Sequence, residues 1–240
     1  MQQLRLSPRL SAISALIPFN GAVADIGTDH GYLPVWLAQQ GFKGGIFATD
    51  INEGPLEHAK ATAAEFGVSP QIHFQLCDGL ALCPSAEIKT LVIAGMGGET
   101  ISDIIANAPW AKENNCLLVL QPMTKSAFLR KRLFENGYRV LSEQLVRDGA
   151  VYEILSAVPG TDIPYSPAEL LIGHRALICA DPLFPEALEK LIEKTRAAIA
   201  GLSAAQRAAN AEKSEELSKT LSDLLSIQNS MNKEANHDKA

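Results

Sequence analysis

From Gly21 to about Val158 the chain alternates short apolar runs with helical stretches, and this alternation most limits the folds open to it. The apolar runs lie at Ala22–Ile26, Gly45–Thr49, Gln71–Leu76, Thr90–Ala94 and Cys116–Gln121. Between them sit helical patterns at Tyr32–Gln40, Glu53–Phe66, Glu99–Ala106 and Ser126–Asn136. Strands that alternate with helices predict βαβ units and a parallel sheet. The runs are almost continuously apolar, as strands covered on both faces must be. The pattern then changes. Tyr138–Val146 and Val151–Val158 are strand-like and are joined by Arg147-Asp148-Gly149. Asp-Gly supplies the positive φ that a tight hairpin turn needs. Five parallel strands followed by an antiparallel hairpin differ from the six-parallel-strand dinucleotide fold.

A second composition begins near residue 160. Prolines 159, 164, 167, 182 and 185 punctuate a linker and a short helix. From Glu186 to Gln228 proline is absent. Leu188, Leu191, Ile192, Thr195, Ile199 and Leu202 form one helical stripe, and Leu217, Leu221, Leu224 and Leu225 form another. A turn at Gly201-Leu202-Ser203 makes this a two-helix hairpin or short coiled coil with a frayed end. The expected division is therefore 1–159 and 160–240. At the other end, Leu10, Ile13, Leu16 and Ile17 have a helical period and read as a short amphipathic helix, not a leader.

The 240 residues are 47% apolar and 20% charged, enough to bury a sizeable core. Net charge is −6. That opposes indiscriminate coating of nucleic acid and binding to anionic membranes. Cys77, Cys83, Cys116 and Cys179 have no metal-ligand spacing and read as incidental thiols of a reducing, cytoplasmic compartment. No apolar run approaches the ~20 residues of a membrane helix, and no metal site is expected.

Ligand chemistry concentrates where the strands end. Val23-Ala24-Asp25-Ile26-Gly27-Thr28-Asp29-His30-Gly31-Tyr32 runs from a buried strand through an acid into a glycine-bearing turn. A dinucleotide site wants glycine over the pyrophosphate at its middle position, and here Asp29 stands there. A carboxylate repels a pyrophosphate but attracts a ligand with an ammonium and a sulfonium. The loop thus fits S-adenosylmethionine better than NAD. Asp50, followed by Ile51, ends the second run where an acid accepts bonds from ribose hydroxyls. Asp78-Gly79-Leu80 follows the third, placed for an adenine amino group and ring. Gly95-Met96-Gly97-Gly98 follows the fourth and reads as close backbone approach to a ligand. Gln121 closes the fifth, either to bond a base edge or to cap the strand.

The segments Asp25-Ile-Gly-Thr-Asp-His-Gly-Tyr-Leu-Pro34, Ala94-Gly-Met-Gly-Gly98, Leu120-Gln-Pro122 and Leu6-Ser-Pro-Arg-Leu10 resemble the bacterial tRNA adenine-N1 methyltransferases that act at position 22. The likeness spans about residues 4–160. It implies an α/β, Rossmann-like class I methyltransferase sheet with a C-terminal α-helical hairpin. It also implies S-adenosylmethionine on Asp25, Gly27, Asp29, Gly31, Asp50, Asp78 and the Gly95–Gly98 loop. The neighbouring Thr28, Ile51, Gly79 and Leu80 belong to the same expected cofactor set.

Adenine N1 attacks a sulfonium methyl through an in-plane lone pair, so positioning supplies most of the help. Asp29 or His30 is expected to steady the developing ring charge or take a proton, and Tyr32 to pack the base, with Glu99 a weaker candidate. For tRNA phosphates, Lys125, Arg130, Lys131, Arg132, Arg139 and Arg147 outnumber Glu135 and Glu143, and Arg5 and Arg9 extend the patch. The expected state is a monomer or weak homodimer. Rival readings are a methyltransferase of a small molecule or another RNA base, and a non-catalytic cofactor-binding interaction protein.

Overall fold

The computed structural model describes residues 3–81, 87–204 and 209–237. Cys83 lies outside them. The described residues fall into two compact units, Met1–Pro164 and Tyr165–Ala240.

In chain order the first unit contains α1 (Pro8–Ala15), β1 (Ala22–Ile26), α2 (Tyr32–Gln39), β2 (Ile46–Asp50), α3 (Glu53–Glu65), β3 (Ile72–Leu76), β4 (Ile88–Gly97), α4 (Gly98–Ala106), α5 (Pro109–Glu113), β5 (Leu117–Thr124), α6 (Ser126–Glu135), β6 (Tyr138–Asp148) and β7 (Ala150–Pro159). One seven-stranded sheet has the order β3-β2-β1-β4-β5-β7-β6. β1 to β5 are mutually parallel, and β7 runs antiparallel to both β5 and β6. This is the expected arrangement. The order reverses at β1, which pairs with β2 on one side and β4 on the other. In open α/β sheets a ligand crevice opens at that reversal, beyond the strands' carboxyl ends.

β1 and β2 are buried along their whole length, because helices cover both faces. Val23, Ile46, Val92, Val119 and Ile154 share a core with Ile13 of α1 and with Leu33, Val35 and Leu37 of α2. Each such side chain is worth roughly 1.5–3 kcal/mol of burial. α1 begins at Ser7, whose hydroxyl accepts from the Leu10 N–H, with Pro8 at the first helical position.

β4 departs from expectation. The strand continues through Gly95 and Met96 to Gly97 instead of ending at Ala94, and its register on β5 shifts twice there. The glycine-rich segment is thus a bulged strand end and not a free loop, and the bulges turn it towards the crevice.

In the second unit, α7 (Pro167–Ile172) has a reciprocal cap between Ser166 and Glu169. It is followed by α8 (Arg175–Ile178), α9 (Phe184–Ala204) and α10 (Ala209–His237). α9 packs on α10, and Leu188, Ile192, Thr195, Leu224 and Ile227 of these helices are buried. The expected turn at Gly201 is corrected: α9 runs through Gly201 to Ala204, and α10 starts at Ala209. One glycine costs a helix only about 1 kcal/mol, too little to break 21 residues with a buried stripe. α10 extends as far as His237.

Candidate active site

Asp25 is the penultimate residue of β1, and its carboxylate Oδ2 accepts from the Thr28 hydroxyl at 2.8 Å. The Gly27 and Thr28 N–H groups both donate to the Thr49 carbonyl, at 2.8 and 2.9 Å, so the turn is pinned to β2. Gly27 (φ 71°) and Gly31 (φ 69°) take the left-handed backbone that lets the chain swing from strand into α2. Gly31 has no room for a side chain, and one at Gly27 would have to displace the end of Met96. A Cβ on Gly27 would overlap Met96 Cε, and one on Gly31 would lie 2.9 Å from Ala59 Cβ. Asp29 adopts φ 50° without being glycine, which sets its exposed carboxylate at the turn's outer edge.

Beyond β1 and β2 opens a cleft of about 600 Å³. That volume suits a nucleoside-sized ligand. Asp25, Gly27, Thr28, Asp29, His30, Tyr32, Asp50, Ile51, Asp78, Gly79, Gly95 and Met96 all line it, as does Arg9. Sequence reasoning overlooked Asn52, Cys77 and Met123, which also face the cleft. Asn52 and Cys77 follow the ends of β2 and β3, and Met123 lies in the last residues of β5, so the carboxyl edge of the parallel strands is the signal by which they can be found.

Four expected cofactor residues do not line the cleft, among them Gly31, which packs against Ala59 of α3. Leu80 is buried beside the cleft and lines a separate hollow with Ile104 and Asn107. Gly97 and Gly98 do not line the cleft. A Cβ on Gly98 would overlap the Lys125 carbonyl, so this glycine permits α4 to start against the β5–α6 junction.

Asp25 is only 8% exposed. Burial, opposed by the Thr28 hydrogen bond and reinforced by the charge of nearby Asp50, pushes its carboxyl up to about 6. Asp50 Oδ1 accepts from the Asn52 N–H at 2.9 Å. Two neighbouring carboxylates with so little water suit a ligand that brings donors or positive charge.

Gln121 is fully buried. Its Oε1 accepts from Arg9 Nη1 at 2.6 Å and from the Gly95 N–H at 3.1 Å, and its amide donates to the Pro122 carbonyl at 2.9 Å. The expectation of a bond to a base edge is therefore corrected, because Gln121 instead fixes Arg9 and the β4 bulge. Arg9 also lies over the Tyr152 ring, 5.6 Å from its centroid.

The expected basic patch is smaller than its residue count. Arg130 is corrected outright. It is 1% exposed, and its guanidinium donates to Glu143 at 2.7 Å and Glu153 at 2.8 Å. Lys125 pairs with Glu99, while Lys131 and Arg132 pair with Glu135 at 3.8 and 3.2 Å. Those three remain at the surface, where an ion pair is worth under about 1 kcal/mol and exchanges readily for another anion.

Known proteins share this fold. A family model described as a methyltransferase domain matches residues 6–155, which sets the class. The tRNA (adenine(22)-N(1))-methyltransferase of Bacillus subtilis is 33% identical over 72% of this chain and 74% of its own length. The chain belongs to that methyltransferase family. The crystal structure of the B. subtilis M1A22 tRNA methyltransferase TrmK covers 94% of this chain and 100% of that one, with 29% identity and a TM-score of 0.84. TrmK of Mycoplasma capricolum, in complex with S-adenosylhomocysteine, covers 93% and 98%, with 26% identity and a TM-score of 0.77.

Proposed function

We infer that this chain is an S-adenosylmethionine-dependent methyltransferase acting on N1 of adenine 22 in tRNA. The observation that carries the reading is the acidic crevice at the sheet's reversal, in a chain of this family. Buried Asp25 beside Asp50, with Asp29 where a phosphate-binding loop needs glycine, favours a cationic nucleoside ligand over a dinucleotide.

The residues present fit S-adenosylmethionine. Gly27 leaves no side chain in the cradle, and Asp50 stands at the end of β2, where ribose hydroxyls are held. Asp78 is exposed in the cleft for an adenine amino group, and Ile51, 61% exposed, offers apolar surface to the ring. When bound, the cofactor supplies a methyl group on a positively charged sulfur.

Adenine N1 needs no base to attack, so the chain's task is to hold N1 in line with that methyl. Tyr32, 42% exposed at the rim, packs the incoming base. The Asp29 carboxylate compensates the positive charge the ring acquires, and His30, with Nε2 3.7 Å from Asp29 Oδ2, can take a proton from the exocyclic amine. Arg9, Lys125 and Arg132 supply cations for the tRNA backbone. The first unit holds every residue of the transfer site, and the second is a helical extension. A cytoplasmic location beside tRNA completes the reading.

The deciding experiment maps methyl groups on unmodified tRNA after incubation with the chain and cofactor. N1-methyladenine at position 22 is the expected product. A different modified base would overturn the substrate, and methylation of a small molecule without tRNA would favour the rival enzyme class.

A further inference from the structure

We propose that Asp29, His30 and His58 form a binding site for a divalent transition-metal ion of the zinc class at the mouth of the cleft, and that an ion held there shuts off methyl transfer. The second half rests on the function proposed above; the site itself does not.

Asp29 and His30 come from the turn after β1, and His58 from α3. One ligand atom of each lies within 4.8 Å of the other two. Asp29 Oδ2 and His30 Nε2 are 3.7 Å apart. Zinc bonds of about 2.0–2.2 Å at a tetrahedral angle place ligand atoms about 3.4 Å apart. The three side chains are therefore close to a coordinating arrangement before any ion arrives. All three are exposed, so an ion reaches them from solvent. The His30 and His58 rings are stacked, 5.4 Å between centroids and 9° from parallel. An ion lying in the plane of both requires one ring to turn, which gives up only a solvent-exposed contact.

Two imidazoles and one carboxylate favour zinc-class ions, whereas magnesium prefers oxygen ligands and retained water. Among the described residues this is the one group of three such ligands. Coordination would occupy the His30 lone pair and the Asp29 carboxylate together. Both are the groups placed towards the reacting base, so an occupied site cannot serve it.

The test titrates the full-length chain with zinc chloride in metal-free buffer, by calorimetry and by competition against the visible absorption of bound cobalt(II). The expected result is one ion per chain, with His58→Ala weakening zinc binding at least tenfold while leaving S-adenosylmethionine binding and the melting profile unchanged. Zinc should inhibit tRNA methylation by the unsubstituted chain over the same concentration range, and His58→Ala should need at least tenfold more. Equal zinc affinity in the two proteins would overturn the site. Full activity of the zinc-saturated chain would overturn the shut-off. Should the metal-free chain place no methyl on tRNA, the proposed function and the shut-off fall together, and the titration alone decides the ion site.

Discussion

Asp25 is required to carry charge where burial and Asp50 both oppose it. The folded chain therefore holds a proton on Asp25 between about pH 4 and 6, a range in which the unfolded chain has lost it. Protons bound by the folded state and not by the unfolded one make stability fall as pH rises through that window, and level off above it. The full effect is up to about 3 kcal/mol. Asp25→Asn should raise the urea midpoint more at pH 7 than at pH 4, because Asn keeps an acceptor for Thr28 but never ionises. The same substitution should weaken S-adenosylmethionine binding, measured by calorimetry. Affinity of the unsubstituted chain should fall as pH drops below 6. Unchanged affinity in Asp25→Asn would separate Asp25 from the cofactor. The acid was legible as a ligand residue because it stands near the end of a buried strand. Its shifted titration was not, since that depends first on burial in the assembled fold and, in smaller part, on Asp50, 25 positions away and brought near by β1–β2 pairing.

Among the elements, α6 shows how a helix can mislead a reader of sequence. Its basic residues suggested an RNA-facing surface, yet Leu129, Arg130 and Leu133 all turn inward. The Arg130 guanidinium joins α6 to β6 and β7 through Glu143 and Glu153. Arg130→Met should cost about 3–5 kcal/mol in chemical denaturation, since it strands the buried Glu143 carboxylate. Arg132→Ala, on the exposed face, should stay within about 0.5 kcal/mol. Equal effects would contradict this division of labour. The helical pattern over Ser126–Asn136 located α6 itself. It has no means of showing that acids of a later hairpin would follow an arginine into the core. His58 is a parallel case. Nothing on α3 marks it, and its neighbours Asp29 and His30 belong to a turn nearly 30 residues earlier.

At the scale of the whole molecule, the residues lining the cleft all belong to the first unit. A chain ending after Pro164 should therefore still bind S-adenosylmethionine with an affinity within a few-fold of the full chain. Loss of binding would show that the cofactor site needs the second unit. The five parallel strands and the antiparallel hairpin were readable because strands alternate with helices and Asp-Gly marks the turn between β6 and β7. The length of α9 was not, because packing against α10 overrides one glycine. The central place of β1 has a consequence during synthesis. β2 protects one of its edges soon after it is made, but β4, its other neighbour, begins about 60 residues later. At about 5–20 residues per second the ribosome needs roughly 3–12 s to deliver it. Throughout that interval the nascent chain offers an apolar strand with unpaired amides, a site where chaperones and sister chains can compete for the partner that β4 will become.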